Sequence, residues 1–328
     1  MLPLNYKQDD PLHQIIRKFY SGSLNIVIKQ EDINDLTWNK QEEFLNATLN
    51  RTLLQKYPMK NKFVKLFLKK IIESLEKSQE VHDDLYKHLC KGMNNDTDES
   101  YYRHYIIGYE LSNIITLRET NNIVVNGTTG MKTWEAAIML ADWALSHKEV
   151  FKHKKILELG SGIGFTGIAL AKFGEPDTIM MSDCHNDVLH AIEENIVINF
   201  DVIRQNTPNR VLFKQKEKKV DIGVMNLDWT SIEDLSLEFC PDIIIGADIV
   251  YDPSILQPLC GVIKMFVDKN KNIEVFIAGV VRNQETYDKF LLSLESAQLK
   301  WQKLHQENNI FIDWHCDTER YLLKICGT

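Results

Sequence analysis

An apolar segment runs directly into four closely spaced glycines at residues 154–167, which read KKILELGSGIGFTG. Glycine allows left-handed backbone conformations and lets the main chain approach a ligand closely. In an open parallel sheet, ligands bind beyond the carboxyl ends of the strands, and the first strand-to-helix turn is a usual place for them. The segment therefore predicts a Rossmann-like α/β sheet with a ligand loop directly after residue 159.

Extended and helical patterns alternate from Thr133 onward. Strands are predicted at residues 155–159, 178–182, 224–227, 242–246, 274–279 and 321–325. Helices are predicted at residues 134–145, 165–173 and 188–200, with one more before each of the last two strands. Alternation of this kind indicates a mostly parallel sheet that is covered by helices on both faces.

The first hundred residues follow a different pattern. Apolar residues recur at helical spacing over residues 61–93, which predicts two amphipathic helices, and the first fifty residues are helical in pattern too. The polar run at residues 92–100 indicates a domain boundary, and short extended pieces follow around 105–107 and 123–125. We therefore expect a mainly helical N-terminal domain at residues 1–100 and an α/β domain at residues 101–328.

Composition excludes several classes of protein. The net charge is −8, and all of the acidic excess follows residue 120, so a nucleic acid is not the expected partner. The chain starts without the pattern of a signal peptide and contains no apolar run of membrane-spanning length, which predicts a cytoplasmic protein that does not bind membranes. The six cysteines lack the spacing of metal ligands, so no metal site is expected.

The glycine spacing alone leaves the cofactor open. Gly162, Gly164 and Gly167 satisfy the dinucleotide pattern GxGxxG, and Asp183 follows about twenty residues later, where a carboxylate binds ribose hydroxyls. A nicotinamide-dependent dehydrogenase would show the same features. The cofactor therefore has to be argued from the residues around the glycines.

Glu158 favours S-adenosylmethionine over a dinucleotide. It occupies a strand position that is otherwise buried and apolar, and a buried carboxylate needs a cationic or hydrogen-bonding partner. S-adenosylmethionine carries an ammonium and a sulfonium, and it has no pyrophosphate. Its loop needs close backbone approach, which Gly160, Ser161 and Gly162 provide, more than a helix N-terminus directed at phosphate.

Two later strand ends carry polar and aromatic residues. Asp228 and Trp229 could form a hydrogen bond to adenine and stack on it, although a tryptophan that only packs the sheet edge would look the same. Asp248 and Tyr251 lie three residues apart after the next strand. A strand-end Asp is often a helix cap, and this alternative stays open for Asp248.

At these residues the chain resembles the seven-β-strand protein-lysine methyltransferases with an Asp-x-x-Tyr signature, and within them the elongation factor 2 lysine methyltransferase family. The resemblance rests on residues 56–58, 126–130 (Asn-Gly-Thr-Thr-Gly), 133–137, 157–162, 182–185 (Ser-Asp-Cys-His), 227–229 and 247–248, with Arg282, Asn283 and Trp301. It implies a class I methyltransferase domain preceded by a helical accessory domain that recognises a folded protein.

The resemblance also implies a role for individual residues. The residues that would contact S-adenosylmethionine are Trp134, Gly160, Ser161, Gly162, Asp183, Trp229 and Ala247. Asp248 and Tyr251 would face the substrate amine and orient its lone pair, while water takes the proton. We expect a monomer that methylates a lysine of elongation factor 2, up to trimethylation, and releases S-adenosylhomocysteine.

Other classes of function stay open at this point. A class I methyltransferase of another protein or of a small molecule would share the cofactor residues. A dehydrogenase would share the glycines but leaves Glu158 unexplained. A non-catalytic cofactor-binding module would share the fold, although every expected cofactor position is intact here.

Overall fold

The computed structural model describes residues 10–23, 28–91, 100–207, 210–216, 220–234, 239–306 and 310–327. The chain divides into two compact units. The first contains residues 1–122 and 311–313, and the second contains residues 123–310 and 314–328. The predicted boundary loop at 92–100 lies outside the described residues except for Ser100, so its conformation is not described.

The first unit is mainly helical and ends in a β-hairpin. Its helices are α1 (Pro11–Ser21), α2 (Gln30–Asn34), α3 (Trp38–Ala47), α4 (Thr52–Lys56), α5 (Asn61–Leu75) and α6 (Asp83–Lys91). The hairpin consists of the antiparallel strands β1 (Ser100–Ile106) and β2 (Ile114–Thr120). The predicted helices over residues 61–93 are confirmed as α5 and α6.

The hairpin carries the first unit past residue 100, where the sequence places a boundary. The short extended piece expected around 123–125 does not join the hairpin. Pairing of β2 with β1 ends at Thr120, opposite Ser100, so the chain beyond it has no partner strand. Val125 forms only an isolated bridge with Thr128, and Ile123 and Val124 are exposed.

An aromatic cluster forms the core of the first unit. The ring of Phe19 is fully buried and lies 5.1 Å from Phe67 and 5.8 Å from both Phe44 and Phe63, measured between ring centroids. The contacts with Phe44 and Phe67 are edge-to-face, and such contacts add to the free energy gained by burying the rings. The apolar faces of α1, α3 and α5 therefore meet at Phe19.

The second unit contains a nine-stranded sheet. Its strands are β3 (Lys155–Leu159), β4 (Thr178–Asp183), β5 (Val202–Thr207), β6 (Arg210–Gln215), β7 (Asp221–Asn226), β8 (Ile243–Ala247), β9 (Glu274–Val280), β10 (Leu299–Lys303) and β11 (Arg320–Gly327). Its helices are α7 (Glu135–Ser146), α8 (Lys148–Phe151), α9 (Phe165–Phe173), α10 (Asn186–Asn199), α11 (Leu256–Lys269) and α12 (Gln284–Ser296). The α/β class I fold expected from the sequence is confirmed.

The strand order is β10-β11-β9-β8-β3-β4-β7-β6-β5. The five central strands are parallel, as predicted, and their burial explains their continuous apolar runs. The outer strands pair antiparallel, so the sheet is mixed. Strands β5, β6 and β10 were not predicted. Two of them, β5 and β10, expose most of their residues and lack an apolar pattern.

The strands that follow β3 in sequence first extend the sheet on one edge of β3, and later strands extend it on the opposite edge. β3 pairs with β4, which follows it in sequence, and with β8, which comes much later. The carboxyl end of β3 is therefore the point where the strand order reverses, and ligands bind at such points in open α/β sheets. Within the described ranges, no helix combines the length and the apolarity needed to cross a bilayer.

Candidate active site

The glycine loop after β3 is shaped by left-handed residues. Gly160 has φ +58°, and a Cβ atom built on it would lie 2.7 Å from Cγ2 of Ile249 and 3.5 Å from the ring of Trp229. Both the backbone conformation and the lack of space exclude a side chain at this position. The main chain of Gly160 is therefore packed against the residues that follow β7 and β8.

Ser161 ties the glycine loop to the end of β4. Its N–H donates to the carbonyl oxygen of Ser182 at 2.8 Å, and its Oγ accepts a hydrogen bond from the Ser182 N–H at 3.0 Å. The hydroxyl of Ser182 in turn donates to the carbonyl oxygen of Glu158. The Ser161 side chain is therefore engaged within the chain, and only the loop backbone is left to approach a ligand.

Glu158 is buried at the end of β3 and has partners within the chain. Its Oε2 accepts the N–H of Gly167 at 3.1 Å, near the start of α9. Burial raises the pKa of Glu158 to about 7, and hydrogen bonds from Ser161, Thr166 and Gly167 oppose this rise. The expectation that this carboxylate needs a cation from a ligand is thus not required by the structure, because α9 supplies donors.

Asp183 ends β4 beside the glycine loop. Its Oδ1 accepts the N–H of His185 at 3.0 Å, and the backbone of Gly162 forms another hydrogen bond with it. Burial raises the pKa of Asp183, while these N–H groups oppose the rise. The carboxylate stays partly accessible, so it can accept further hydrogen bonds from a ligand hydroxyl.

Asp228 and Trp229 follow β7 and differ in their surroundings. The Oδ1 of Asp228 accepts both the N–H and the hydroxyl of Thr230, so this exposed carboxylate caps the 3-10 helix Trp229–Asp234. The ring of Trp229 faces Gly160, and its buried Nε1 has no hydrogen-bond partner among the described residues. A buried donor without a partner is rare, and this one lies on the ring that faces the glycine loop.

The segment 126–134 borders the glycine loop. A Cβ atom on Gly162 would lie 3.1 Å from the carbonyl oxygen of Gly130, and the Trp134 Nε1 donates to the carbonyl oxygen of Thr129 at 3.1 Å. Asn126 anchors the start of the segment through Asp187 and His185. The segment is therefore tied to the start of α10 beside the glycine loop.

Asp248 directly follows β8 in a left-handed conformation, with φ +56°. Non-glycine residues rarely adopt this conformation, and such strain is concentrated at functional sites. Its side chain is only 6% exposed. Its Oδ1 accepts the N–H of Val280 at 3.1 Å, so it does not cap a following helix. Asp252 has that role instead, because its carboxylate accepts the N–H of Ser254.

The structure pairs Asp248 with Arg282, a residue to which the sequence interpretation assigned no role in the site. Arg282 donates from Nη1 to Oδ1 at 3.0 Å and from Nη2 to Oδ2 at 3.1 Å. Its Nη2 also donates to Glu135 at 3.2 Å, and its guanidinium lies 5.0 Å from the centre of the Trp134 ring. Arg282 follows β9, the parallel neighbour of β8, and this adjacency is the signal that could have found it.

Tyr251 has different neighbours from those of Asp248. Its side chain is exposed and forms a hydrogen bond with that of Thr129. Burial of part of the ring raises the pKa of Tyr251, and the charges of Asp183 and Cys184 raise it further. The hydroxyl therefore remains protonated at neutral pH and lies on the Asp183 side of the site.

Most of the predicted site residues belong to one continuous set of contacts. Asp248 contacts Arg282, which lies over Trp134, and Trp134 bonds to Thr129, the partner of Tyr251. Tyr251 interacts electrostatically with Asp183, and Asp183 is hydrogen-bonded to the glycine loop. Ala247 ends β8 beside Asp248. Glu158 and Asp228 are held by α9 and the 3-10 helix instead.

These residues fit S-adenosylmethionine. The aromatic face and unpartnered N–H of Trp229 suit a purine, and the Asp183 carboxylate suits the ribose hydroxyls. The bare backbone of Gly160 and Gly162 leaves room for an amino-acid chain beside the loop. The site thus offers groups for the purine and the ribose and space for the amino-acid part of this cofactor.

Comparison with known proteins identifies the family. A profile described as lysine methyltransferase matches residues 114–297. The protein-lysine N-methyltransferase EEF2KMT of Homo sapiens is 30% identical over 294 residues, which cover 88% of this chain and 85% of that protein. The protein of the same name from Mus musculus is 32% identical and covers 87% of this chain and 85% of its own length.

A more distant relative has a related name. The protein-lysine N-methyltransferase EFM3 of Saccharomyces cerevisiae is 25% identical over 259 residues, which cover 73% of this chain and 70% of that protein. The family profile covers more than half of the chain, and the mammalian relatives match it over most of its length. The chain belongs to this lysine methyltransferase family, as an S-adenosylmethionine-dependent protein-lysine N-methyltransferase.

Proposed function

We propose that this enzyme methylates a lysine of translation elongation factor 2, up to trimethylation. The name of its mammalian relatives supports this substrate, and so does the resemblance of the motif residues to the elongation factor 2 lysine methyltransferase family. The observation that carries the proposal is the strained Asp248 at the carboxyl end of β8, next to the glycine loop. We further propose that it acts in the cytoplasm as a monomer.

The chain binds the cofactor through the loop after β3 and the strand ends beside it. Trp229 would pack on the adenine, Asp183 would accept hydrogen bonds from the ribose hydroxyls, and Gly160, Ser161 and Gly162 would present their backbone. Trp134 and Ala247 border the same space. The bound S-adenosylmethionine supplies an electrophilic methyl carbon, and the electrons of its broken carbon–sulfur bond stay on sulfur.

The substrate lysine has to lose a proton before it can attack. A free lysine has a pKa of about 10.4, so most of it is ammonium at neutral pH. Asp248 accepts a hydrogen bond from the amine and directs its lone pair, the hydroxyl of Tyr251 holds the opposite side, and water takes the proton. Alignment of two reacting groups without intervening water accounts for a large share of the rate in such displacements.

The number of methyl groups depends on how the site holds a methylated ammonium. Aromatic faces attract such cations by about 0.5–2 kcal/mol. Trp134 lies under the guanidinium of Arg282 and Tyr251 bonds to Thr129, and neither aromatic side chain is buried. They can retain the mono- and dimethylated side chain between rounds, which permits trimethylation.

The test is methylation in a lysate from cells that lack the protein. Purified enzyme and labelled S-adenosylmethionine are added, and labelled proteins are identified by mass spectrometry. A single band at elongation factor 2, modified on lysine, is the expected result. If the label appears in another protein, that protein is the substrate and the assignment of elongation factor 2 is wrong. Label in small molecules alone would contradict protein methylation.

Two variants make the same experiment specific to the site. Asp248→Asn keeps the shape of the side chain and should reduce turnover about a hundredfold or more, with cofactor affinity close to that of the wild type. Asp252→Asn is the matched control, because it changes a carboxylate four residues away that only caps a short helix. Equal turnover of wild type and Asp248→Asn would exclude Asp248 from the mechanism.

A further inference from the structure

An ionic cluster surrounds the proposed substrate carboxylate. Asp248, Arg282 and Glu135 come from three different elements, and the guanidinium of Arg282 bonds to both carboxylates. Asp248 is 6% exposed, whereas Arg282 and Glu135 are 43% and 48% exposed. The cluster therefore lies at the mouth of the site, with Asp248 innermost.

We propose that Arg282 is a positioning residue that offsets the charge of Asp248, so that the substrate lysine can lose its proton in the enzyme complex. This inference rests on the proposed function, because it assigns Arg282 a role toward the amine that Asp248 binds. Arg282 is assigned a role in the protonation of the substrate amine. Binding of the cofactor is assigned to the glycine loop and not to Arg282.

The physical reason is that Asp248 has two opposing effects on the substrate amine. A carboxylate next to an amine orients its lone pair, but it also stabilises the ammonium form, which has no lone pair and cannot attack the methyl group. A charge within about 4–6 Å shifts a pKa by about 1–3 units. A permanent cation paired with the carboxylate cancels most of that shift while leaving the acceptor oxygens in place.

Arginine suits this role better than lysine would. Its guanidinium remains charged at every relevant pH and binds a carboxylate through two parallel hydrogen bonds. Burial alone would lower the pKa of Arg282, but the hydrogen bond to Asp248 and the charges of Asp248 and Glu135 raise it overall. The bidentate pair also fixes the orientation of Asp248, whose Oδ1 is held by the Val280 N–H as well.

Two tyrosines and a cysteine also lie near the cluster. Burial is the main reason that the pKa of Tyr321 is raised, with Asp248 adding to it. Tyr287 stacks on Tyr321 at 4.5 Å, and burial raises its pKa too. The Cys316 thiol lies close enough to interact with Arg282. Asp248, Glu135 and Arg282 are the charged side chains that bond to one another in the cluster.

The test measures kcat against pH with saturating cofactor and substrate, because the acidic limb of kcat reports the pKa of the enzyme–substrate complex. Arg282→Gln should move this limb upward by about one pH unit or more. Glu135→Gln should move it downward, since it removes a negative charge and leaves the Arg282–Asp248 pair. Arg282→Lys should restore the position of the limb at a lower rate.

The matched control is the same Arg→Gln substitution at a salt bridge that lies far from the site. Arg204 lies on β5, at the far edge of the sheet, and pairs with Glu193 at 2.7 Å. Arg204→Gln should therefore leave the dependence of kcat on pH unchanged. Titration of each variant with S-adenosylhomocysteine checks that the cofactor site is intact. Elongation factor 2, or whichever protein the lysate experiment labels, serves as the substrate.

The outcomes separate the two proposals. A wild type that labels another protein overturns the assigned substrate, and the Arg282 profiles are then measured on that protein. A uniform loss of rate in Arg282→Gln with an unmoved acidic limb overturns the role of Arg282. If Arg282→Gln does not fold, the sign of the Glu135→Gln shift decides, since an upward or absent shift contradicts the inference.

Discussion

The backbone N–H of Gly167 donates a hydrogen bond of 3.1 Å to Oε2 of Glu158, which joins the end of β3 to the first turn of α9. A Cβ atom on Gly167 would lie 2.8 Å from the same oxygen, so glycine is needed for this approach. The carboxyl group is 2% exposed and its pKa is raised to about 7, mainly by burial. It therefore titrates near neutral pH in the folded protein.

Replacement of Glu158 by Gln should change how stability depends on pH. The native carboxyl binds its proton more tightly than the unfolded one, so the protonated form stabilises the fold below about pH 4.5, and this contribution is lost as the pH rises to about 7. The free energy of unfolding of Glu158→Gln, minus that of the wild type, should rise by up to about 3 kcal/mol between these values. Urea melts of the cofactor-free protein at about pH 5 and about pH 8 measure this difference. A constant difference would show that Glu158 does not titrate there.

Replacement of Gly160 by Ala should abolish cofactor binding. The new methyl group would meet Ile249 at 2.7 Å, and φ +58° costs a non-glycine residue about 1–2 kcal/mol. Gly127→Ala is the matched control, because Gly127 also has a positive φ but a Cβ there meets no atom within 4 Å. Calorimetry with S-adenosylhomocysteine should detect binding in Gly127→Ala and none in Gly160→Ala. Normal binding in both would remove the loop from the cofactor site.

Replacement of Tyr251 by Phe should lower kcat about tenfold, which corresponds to ~1.4 kcal/mol, without changing cofactor affinity. The variant keeps the ring and loses only the hydroxyl that orients the amine. Because the pKa of Tyr251 is raised above its usual 10, the wild type should show no loss of activity from its ionisation below about pH 10. Tyr86→Phe, which removes an exposed hydroxyl bonded to Glu76, should be neutral. An equally slow Tyr86→Phe would point to a general effect.

Replacement of Phe19 by Ala should destabilise the first unit by about 3–5 kcal/mol, because it empties the centre of the aromatic cluster. We expect the variant to bind S-adenosylhomocysteine and to lose methylation of elongation factor 2, since the helical unit is proposed to recognise the folded substrate. Limited proteolysis and the methylation assay measure the two effects. Leu292→Ala, at a position that is 61% exposed, is the control. Full methylation despite a destabilised first unit would contradict a role in recognition.

The glycine loop and its flanking elements could be predicted from sequence alone. β3 and α9 have the same bounds in the structure as in the sequence prediction, because a buried parallel strand and a buried helix both give continuous apolar signals. The edge strands β5 and β10 gave no such signal, since their stability comes from pairing with β6 and β11. Hydrophobic patterns report burial, and these two strands have little of it.

Roles of the acidic residues were harder to assign. The sequence placed Asp228, Asp248 and Glu158 in one site, with a helix cap as the alternative for Asp248. The caps are Asp252, which follows Asp248, and Asp228, and Glu158 bonds to the start of α9. A strand-end aspartate has the same sequence context whether it caps a helix or pairs with an arginine, so only the neighbouring backbone distinguishes the two.

The sequence by itself determined the α/β alternation, the ligand loop and the strand ends that carry its polar residues, because these depend on local periodicity and on glycines that no other residue can replace. The tertiary structure alone decided that Arg282 pairs with Asp248. The two residues are 34 positions apart in the chain, and they meet because β8 and β9 lie side by side and end at the same edge. Side-chain pairing across strands depends on sheet order, which local patterns do not contain.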